Sequence, residues 1–267
     1  MNVPLSRRQL LGLSGSALLA AGLWPGALRA DDGPSFRFIA VNDLHYLNQK
    51  CGPWFQKAFQ QMKAQPGGID FVLVGGDLVE HATPEQFSGI HDLLKTLSVP
   101  YYVVVGNHDY RTQTDRKTYE QLFPNRINYH FAHQGWQFIG IDTSEGQKSQ
   151  NVKAAQETLN WLDAMLPKLD KKKPTVLFTH FPLAFGVPFL LVNADAVLER
   201  FKPFNLQAVY SGHYHGYTEK KLKGVTYTTN KCCSYSRLNH DRSPEKGFFF
   251  CKVTEGRLTR QFIEVKP

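Results

Sequence analysis

The chain has 267 residues, of which 42% are hydrophobic and 20% are charged, and its formal net charge is +8. This composition is that of a globular protein with a sizeable core, and it excludes a low-complexity or collagen-like chain. The one dense basic run is Lys171-Lys172-Lys173, so the charge gives no strong sign of nucleic-acid binding and suits a small anionic partner instead.

The first 30 residues have the layout of an export signal. Arg7 and Arg8 precede an uncharged apolar run from Leu10 to Trp24, and small residues follow as far as Ala30. The paired arginines resemble the twin-arginine signal, which exports folded proteins, and the apolar run is short for a membrane span. We therefore expect an exported, periplasmic or extracellular protein whose mature part, 31–267, is one domain without a transmembrane segment. A retained N-terminal anchor helix is the alternative.

From residue 36 onward, short β-favouring runs end in residues that are poorly suited to burial. The runs and the polar residues that follow them are Phe36 to Val41 with Asp43 and His45, Asp70 to Val74 with Asp77, Val99 to Val105 with Asn107, His108 and Asp109, Thr175 to Phe178 with His180, and Leu206 to Ser211 with His213 and His215. One such ending is an ordinary turn, but the recurrence indicates a shared function.

Segments with helical periodicity lie between several of these strands. They are Phe55 to Met62, Thr83 to Leu97, Ala154 to Leu169 and Ala194 to Phe201. This alternation predicts an α/β fold with a mainly parallel inner sheet. The end of the chain differs, because its strands are of the hairpin type. These are Val225 to Thr229, Gly247 to Val253 and Leu258 to Val265, with a turn at Glu255-Gly256, so we expect a mixed sheet or a second sheet packed on the first.

Parallel connections place the polar clusters at one edge of the predicted sheet, where ligands bind in α/β proteins. Buried carboxylates and imidazoles need partners, and a hydrogen-bonded network would suffice for His180 alone. For the whole converging set, a network without a cation would be strongly destabilising. Two carboxylates, four imidazoles and an amide oxygen are too many for one tetrahedral zinc ion, and they suit two ions that share a bridging carboxylate.

The motifs D-x-H, G-D, G-N-H-D, a lone His and G-H-x-H resemble those of calcineurin-like metallophosphoesterases, and they occur in the order of that family. They are Asp43 and His45, Asp77, Gly106 to Asp109, His180, and Gly212 to His215. The resemblance extends from Asp43 to the C-terminal hairpin. It implies a four-layer α/β/β/α sandwich with two mixed β-sheets, and two divalent or mixed-valence metal ions (Mn, Fe, Zn, Ni or Co).

The same resemblance implies roles for the motif residues. The ligand sets are Asp43, His45, Asp77 and His215 for one ion, and Asp77, Asn107, His180 and His213 for the other. A hydroxide between the ions would attack the phosphorus of a small phosphomonoester or phosphodiester. His108 would stabilise the transition state or protonate the leaving oxygen, and Asn107 and His108 would contact the substrate. Asp109 is a further catalytic candidate, which would fix the backbone or orient a neighbour.

Glu80, three residues after Asp77, separates the chain from two subgroups of the family. Purple acid phosphatases have a metal-binding Tyr there, and PPP-type protein phosphatases have an Asp followed by a phosphate-binding Arg. This chain has Glu80-His81 instead. Glu80 is a candidate for orienting His108, with an acid at the start of a helix as the alternative. The short chain and the G-N-H-D motif most resemble class III cyclic-nucleotide phosphodiesterases and related small phosphohydrolases.

Aromatic and sulfur-containing residues give weaker signals. Tyr46, Tyr110 and Tyr214 are candidate substrate contacts, with packing at the sheet edge as the alternative. The apolar loop 182–191 is a candidate lid, or it is tucked under the rim. An oxidising compartment would allow a disulfide among the four cysteines, which are Cys51, Cys232, Cys233 and Cys251.

Two other functions compete with phosphoester hydrolysis. One is a catalytically silent scaffold that binds metal, and the other is a nuclease of the same family. Retention of His108 beside the complete ligand set argues against the scaffold. The sequence shows neither a basic groove signature nor a capping domain, which argues against the nuclease.

Overall fold

The computed structural model describes residues 35–266, which lie in one compact unit. Its strands are β1 (Phe36–Val41), β2 (Phe71–Val74), β3 (Tyr101–Val103), β4 (Tyr129–His133), β5 (Trp136–Gly140), β6 (Thr175–Thr179), β7 (Leu206–Ser211), β8 (Thr218–Leu222), β9 (Val225–Thr229), β10 (Gly247–Thr254) and β11 (Arg257–Glu264). Its helices are α1 (Gly52–Lys63), α2 (Pro84–Lys95), α3 (Lys117–Leu122), α4 (Gln156–Met165) and α5 (Ala194–Glu199). The predicted export signal lies outside the described residues.

Two mixed sheets form the centre of the fold. The first has the strand order β11-β10-β1-β2-β3, and the second has the order β4-β5-β6-β7-β9-β8. Neighbours are parallel from β1 to β3 and from β5 through β6 and β7 to β9, whereas β10, β11, β4 and β8 pair antiparallel. The second sheet therefore has a parallel centre between two antiparallel edge strands, whereas the parallel strands of the first sheet lie on one side of it and the β10–β11 hairpin on the other.

The alternation of side chains along β1 shows how the layers are arranged. Phe36, Phe38 and Ala40 pack into the core between the two sheets, together with residues of β5, β6 and β7. Ile39 and Val41 point to the opposite face and pack against α1 and α2. Both faces of the strand are buried, which explains its continuous apolar run.

Helices cover the outer face of each sheet. The apolar faces of α1, α2 and α3 lie on the first sheet, and those of α4 and α5 lie on the second. Thr83 caps the start of α2 through its side chain, which accepts a hydrogen bond from the Gln86 backbone N–H. The predicted four-layer α/β/β/α sandwich is confirmed.

Several elements were not expected from the sequence. These are the β4–β5 hairpin, α3 and β8. The two hairpin turns involved are Gln134-Gly135 and Lys223-Gly224, in which both residues have positive φ, as they also do in the predicted turn at Glu255-Gly256. The sequence signal that was missed is therefore a dipeptide whose second residue is Gly, placed between two short strand segments.

Two further findings concern the cysteines and the helices. All four cysteines are buried free thiols in this structure, so none of the disulfides that an oxidising compartment would allow is present among them. Among residues 35–266, no helix combines the length and the apolar character that a bilayer crossing requires.

Candidate metal centre

The ends of five strands meet at one edge of the sandwich. Asp43, Asp77 and Asn107 follow strands of the first sheet, whereas His180 and the His213–His215 pair follow strands of the second. All the expected ligands are buried. Their donor atoms lie within 4.8 Å of one another in two sets, which are Asp43, His45, Asp77 and His215, and Asp77, His180 and His213. Asp77 belongs to both sets, as a bridging carboxylate would.

The backbone at these ligands is held in an uncommon conformation. Positive φ angles occur at Asp43 (54°), His45 (48°), Asp77 (50°), His213 (63°) and His215 (46°). Such left-handed geometry costs a non-glycine residue roughly 1–3 kcal/mol, and it persists where surrounding contacts fix it. Here the two loops of the first sheet fix each other, since the Asp43 N–H donates to the Gly76 carbonyl and the His45 N–H donates to the Asp77 carbonyl (N···O 3.1 and 2.9 Å).

Each ligand imidazole has an acceptor at its outer nitrogen. The pairs are His180 Nδ1 with Gly75 O (2.9 Å), His213 Nε2 with Ser149 O (2.8 Å), His215 Nδ1 with Leu238 O (3.3 Å) and His45 Nδ1 with Glu80 Oε2 (3.1 Å). The contact at His45 is electrostatic rather than a well-aligned hydrogen bond. An acceptor at the outer nitrogen keeps a proton there and leaves the lone pair on the inner nitrogen, as metal ligation requires.

The inner nitrogens point at one another and at oxygen atoms. His45 Nε2 lies 3.2 Å from His215 Nε2, and His180 Nε2 lies 3.2 Å from His213 Nδ1. Asn107 Oδ1 lies 3.1 Å from His180 Nε2, which adds the amide oxygen to the second set. Lone pairs that converge in this way need a cation between them, so the residues fit two divalent ions.

The pKa shifts at the site arise from the attraction between the buried carboxylates and the neighbouring imidazoles. Burial raises the pKa of the Asp77 carboxyl, but His180 and His45 outweigh burial and hold it well below its usual range. Burial lowers the pKa of His180, but the Asp77 and Asp43 carboxylates outweigh burial and raise it to about 9. In the metal-free protein, protons therefore supply the positive charge that the carboxylates require.

His108 lies beside both ligand sets and is partly open to solvent. Its backbone N–H donates to Asp77 Oδ1 (2.8 Å), and its Nδ1 lies 2.8 Å from the main-chain oxygen of Glu80. The imidazole packs edge-on against His45 at 4.7 Å between ring centroids. Since the Glu80 oxygen holds the proton on Nδ1, Nε2 is the atom of His108 that is left to face a substrate.

The carboxylate of Glu80 lies closer to His45 than to His108, which was its expected partner. Its Oε2 lies 3.1 Å from His45 Nδ1, whereas Oε1 is 3.8 Å from His108 Nδ1. Both carboxylate oxygens also pair with the Arg237 guanidinium, with Nε 2.9 Å from Oε2. Burial raises the pKa of Glu80, but His45 and Arg237 outweigh burial and lower it to about 2. Glu80 thus orients His45 through its carboxylate and His108 through its main-chain oxygen.

Arg237 was missed because it belongs to no motif. It lies in an irregular segment after β9, and 157 residues separate it from Glu80 in the sequence. A third group of potential metal ligands is formed by His45, Glu80 and His108. In this group the Arg237 guanidinium supplies the positive charge next to the Glu80 carboxylate, so no third ion is needed to balance that carboxylate.

Asp109 is fully buried and holds the backbone of the site. Its carboxylate accepts hydrogen bonds from the N–H groups of Leu78 (2.8 Å), Val79 (3.2 Å) and Gly106 (2.8 Å). These contacts tie the loop after β2 to the loop after β3. The structure therefore places Asp109 in the frame of the site and not among the groups that face a substrate.

The three candidate tyrosines divide into two classes. Tyr46 is buried in the core against Phe55, and Tyr110 is buried with its hydroxyl donating to Asp142 Oδ2 (2.8 Å). Their burial favours the alternative of packing at the sheet edge over contact with a substrate. Tyr214 is partly exposed, near Phe189 of the apolar loop. Phe189 also packs edge-on against His213 (4.9 Å), so this loop forms one side of the site.

A four-layer sandwich with two Asp/His ligand sets at one edge defines an α/β protein built for a binuclear metal centre. The family model for calcineurin-like phosphoesterases matches residues 36–217, and the chain belongs to this family of hydrolases. The predicted family is confirmed.

Relatives of the chain carry phosphodiesterase names. A probable cyclic nucleotide phosphodiesterase of Psychrobacter arcticus is 25% identical over 233 residues, which are 80% of this chain and 83% of that protein. A probable glycerophosphodiester phosphodiesterase of Arcobacter nitrofigilis is 30% identical over 156 residues. That alignment spans only 55% of this chain and 56% of the relative. Among solved structures, the purple acid phosphatase PPD1 of yellow lupin has a TM-score of 0.66 at 14% identity, covering 87% of this chain and 52% of the other, and this likeness shows the fold alone.

Proposed function

We propose that the protein is a two-metal phosphodiesterase that hydrolyses a small phosphodiester. The observation that carries the proposal is the pair of ligand sets that share Asp77, in which every histidine has its outer nitrogen against an acceptor. The names of the relatives favour a diester over a monoester, because both cyclic nucleotides and glycerophosphodiesters are phosphodiesters. The mixture of His, Asp and Asn donors suits Mn, Fe, Zn, Ni or Co.

We assign the roles of the site residues as follows. One ion is held by Asp43, His45, Asp77 and His215, and the other by Asp77, Asn107, His180 and His213. When bound, the two ions lower the pKa of a water molecule and neutralise charge on the phosphoryl oxygens. His108 donates a proton from Nε2 to the leaving ester oxygen, with the Glu80 main-chain oxygen fixing its ring. Asn107 and His108 contact the substrate, and Tyr214 flanks it.

The test is a comparison of two model esters with the purified protein. Loaded with Mn²⁺, the protein is expected to hydrolyse bis-p-nitrophenyl phosphate with a higher kcat/KM than p-nitrophenyl phosphate. Chelation should abolish the activity, and fresh Mn²⁺ should restore it. A protein that binds two ions and turns over neither ester would instead be a metal-bearing scaffold, and cleavage of long nucleic acids with no activity on small diesters would make it a nuclease.

We further propose that the protein is exported by the twin-arginine route and acts in the periplasm or outside the cell. The support is the sequence of the first 30 residues alone, with Arg7 and Arg8 before the apolar run. Replacing both arginines by lysine should leave the protein in the cytoplasmic fraction and uncleaved. Normal export of that double variant would remove the twin-arginine assignment.

A further inference from the structure

The Arg237 guanidinium lies at the open side of the metal centre, next to His108. Its Nη2 is 3.5 Å from His108 Nε2, the atom that faces the substrate in the proposed function. Both side chains are partly accessible, with 38% exposure for Arg237 and 28% for His108. In contrast, the metal-ligand side chains around them are buried. A molecule that approaches the site therefore meets these two residues together.

The guanidinium is held in place but has donors to spare. Its Nε and Nη2 pair with the two carboxylate oxygens of Glu80 in a fork-to-fork arrangement. Within residues 35–266, the remaining nitrogen, Nη1, has no hydrogen-bond partner. Because a guanidinium carries five N–H donors, the pairing with Glu80 leaves donors free for an anion.

A guanidinium that is fixed in advance suits the recognition of a phosphoryl oxygen. Ordering a free arginine side chain on binding costs conformational entropy, and the Glu80 carboxylate has already restricted Arg237. An arginine also presents its donors in a plane that matches phosphate oxygens, which a lysine ammonium does not.

We propose that Arg237 binds a non-bridging phosphoryl oxygen of the substrate and holds the phosphorus next to His108. The inference rests on the proposed phosphodiesterase function and adds a substrate-binding residue to it. Glu80 is the positioning residue for Arg237, because its carboxylate holds the guanidinium in place while other donors stay free for the phosphate. Loss of Arg237 should therefore weaken anion binding strongly and loss of the Glu80 charge should weaken it less, whereas a purely structural salt bridge would give the same effect for both.

The experiment measures binding of inorganic phosphate to the Mn²⁺-loaded full chain by calorimetry, which requires no turnover. Arg237→Ala should weaken phosphate binding by about 10- to 100-fold while keeping two ions per chain, since charge-assisted hydrogen bonds have about this strength. Arg237→Lys should restore only part of the affinity. Glu80→Gln, measured at a Mn²⁺ concentration that keeps two ions bound, should weaken phosphate binding by less than Arg237→Ala does, because the guanidinium is still present but no longer held in place.

Arg242→Asn is the matched control, because Arg242 is an exposed arginine of the same irregular segment and asparagine tolerates its positive φ. Its phosphate affinity should be unchanged. Unaltered phosphate binding in Arg237→Ala would overturn the inference, as would an equal loss in Arg237→Ala and Glu80→Gln. Neither result depends on hydrolysis, so a protein with no diesterase activity would fail the proposed function and still leave this inference testable.

Discussion

At each ligand histidine, the acceptor next to the outer ring nitrogen determines which nitrogen is available to bind metal. Main-chain carbonyls stand behind His180, His213 and His215, and a carboxylate stands behind His45. These acceptors determine which nitrogen keeps its proton when an ion binds the other, and removing such outer contacts from metal sites typically costs about 10- to 100-fold in metal affinity. Carbonyl acceptors cannot be removed by mutation, so Glu80 is the one outer contact that a substitution can test.

Asp77 should be indispensable for both ions, because its carboxylate belongs to both ligand sets. We expect Asp77→Ala to bind at most one ion and to lose diesterase activity. Metal content per chain, measured by mass spectrometry after dialysis, checks this. Asp163→Ala is the control, since Asp163 is an exposed residue that pairs with Arg200 on the surface. Two tightly held ions in Asp77→Ala would disprove the bridging role.

His108 should affect turnover and leave metal binding intact. It belongs to neither of the two ligand sets that share Asp77, and its Nε2 is free to transfer a proton. We expect His108→Ala to lower kcat by about 10²-fold or more, the usual contribution of a general acid, with two ions still bound. The exposed His130 provides the control substitution, His130→Ala. Normal turnover in His108→Ala would assign the proton transfer to another group.

Metal binding should release protons near neutral pH. Burial lowers the pKa of His215, but the Asp43 carboxylate outweighs burial and raises it to about 11, just as Asp77 raises that of His180 to about 9. Both rings are therefore protonated at about pH 7 in the metal-free protein and must lose a proton to bind an ion. The apparent affinity for Mn²⁺ should rise between about pH 6 and about pH 8.

Calorimetry of Mn²⁺ binding in two buffers with different ionisation enthalpies checks the proton release. The heats should differ between the buffers in proportion to the protons released. Equal heats in both buffers, or an affinity that falls as the pH rises over this range, would contradict the expected protonation of the two histidines.

The loops that follow the strands cross so closely that some positions admit only glycine. A Cβ atom on Gly106 would collide with the Asp77 side chain and with its backbone nitrogen. On Gly212, it would approach the Gly75 carbonyl (2.7 Å) and Asp43 Oδ2 (2.9 Å). Gly106 thus lets two loops of the first sheet approach each other at Asp77, and Gly212 lets a loop of the second sheet approach the first at Asp43.

Gly106→Ala should therefore weaken the metal centre by displacing Asp77. We expect metal affinity to fall by at least about 10-fold, as when outer contacts of a metal site are lost. Gly52→Ala is the control, because a Cβ there meets no heavy atom within 4 Å and the residue begins α1 with a helical φ. The control should bind metal normally and be unchanged or up to about 1 kcal/mol more stable. Normal metal affinity in Gly106→Ala would show that the loops can shift without moving Asp77.

The sequence was sufficient to predict the strands that precede the ligands, but not the neighbouring hairpin or the directions of nearby side chains. The boundaries of β1 and β7 were predicted to the residue, because an apolar run and a ligand motif both mark their ends. The β4–β5 hairpin was missed, although Gln134-Gly135 signals its turn. Tyr46 and Tyr110 are close to ligands in sequence, but that proximity does not determine the direction of a side chain, and both are buried in the core.

Contacts between distant segments could not be predicted from the sequence. Arg237 reaches Glu80 only because the segment after β9 crosses from the second sheet to the first, and no local sequence pattern predicts that path. The carbonyl acceptors of Ser149 and Leu238 have no sequence signature at all, since any residue carries such an oxygen. Motifs thus identified the ligands, whereas the tertiary structure identified the groups that orient them.

The metal centre also joins the two halves of the molecule. The first sheet supplies the carboxylates, His45 and Asn107, and the second supplies His180, His213 and His215. An ion held by either set would therefore contact residues of both sheets, at the edge of their shared aromatic core. Metal that binds only the folded state stabilises it by mass action, by about 2.7 kcal/mol per site when free metal is 100 times its Kd.

Removal of metal should consequently lower the Tm of the whole chain in a single transition. Loss of both ions removes about 5 kcal/mol, which for a chain of this size corresponds to about 10–20 °C. Scanning calorimetry with Mn²⁺ and with chelator checks this, and Asp77→Ala, which binds at most one ion, should show a smaller difference between the two conditions. A transition that splits in chelator would mean that the sheets unfold separately, and a Tm that does not depend on metal in a metal-dependent enzyme would mean that the ions do not join the sheets. Because both sets of ligands cross the sheet boundary, the single shifted transition is the outcome that this architecture requires.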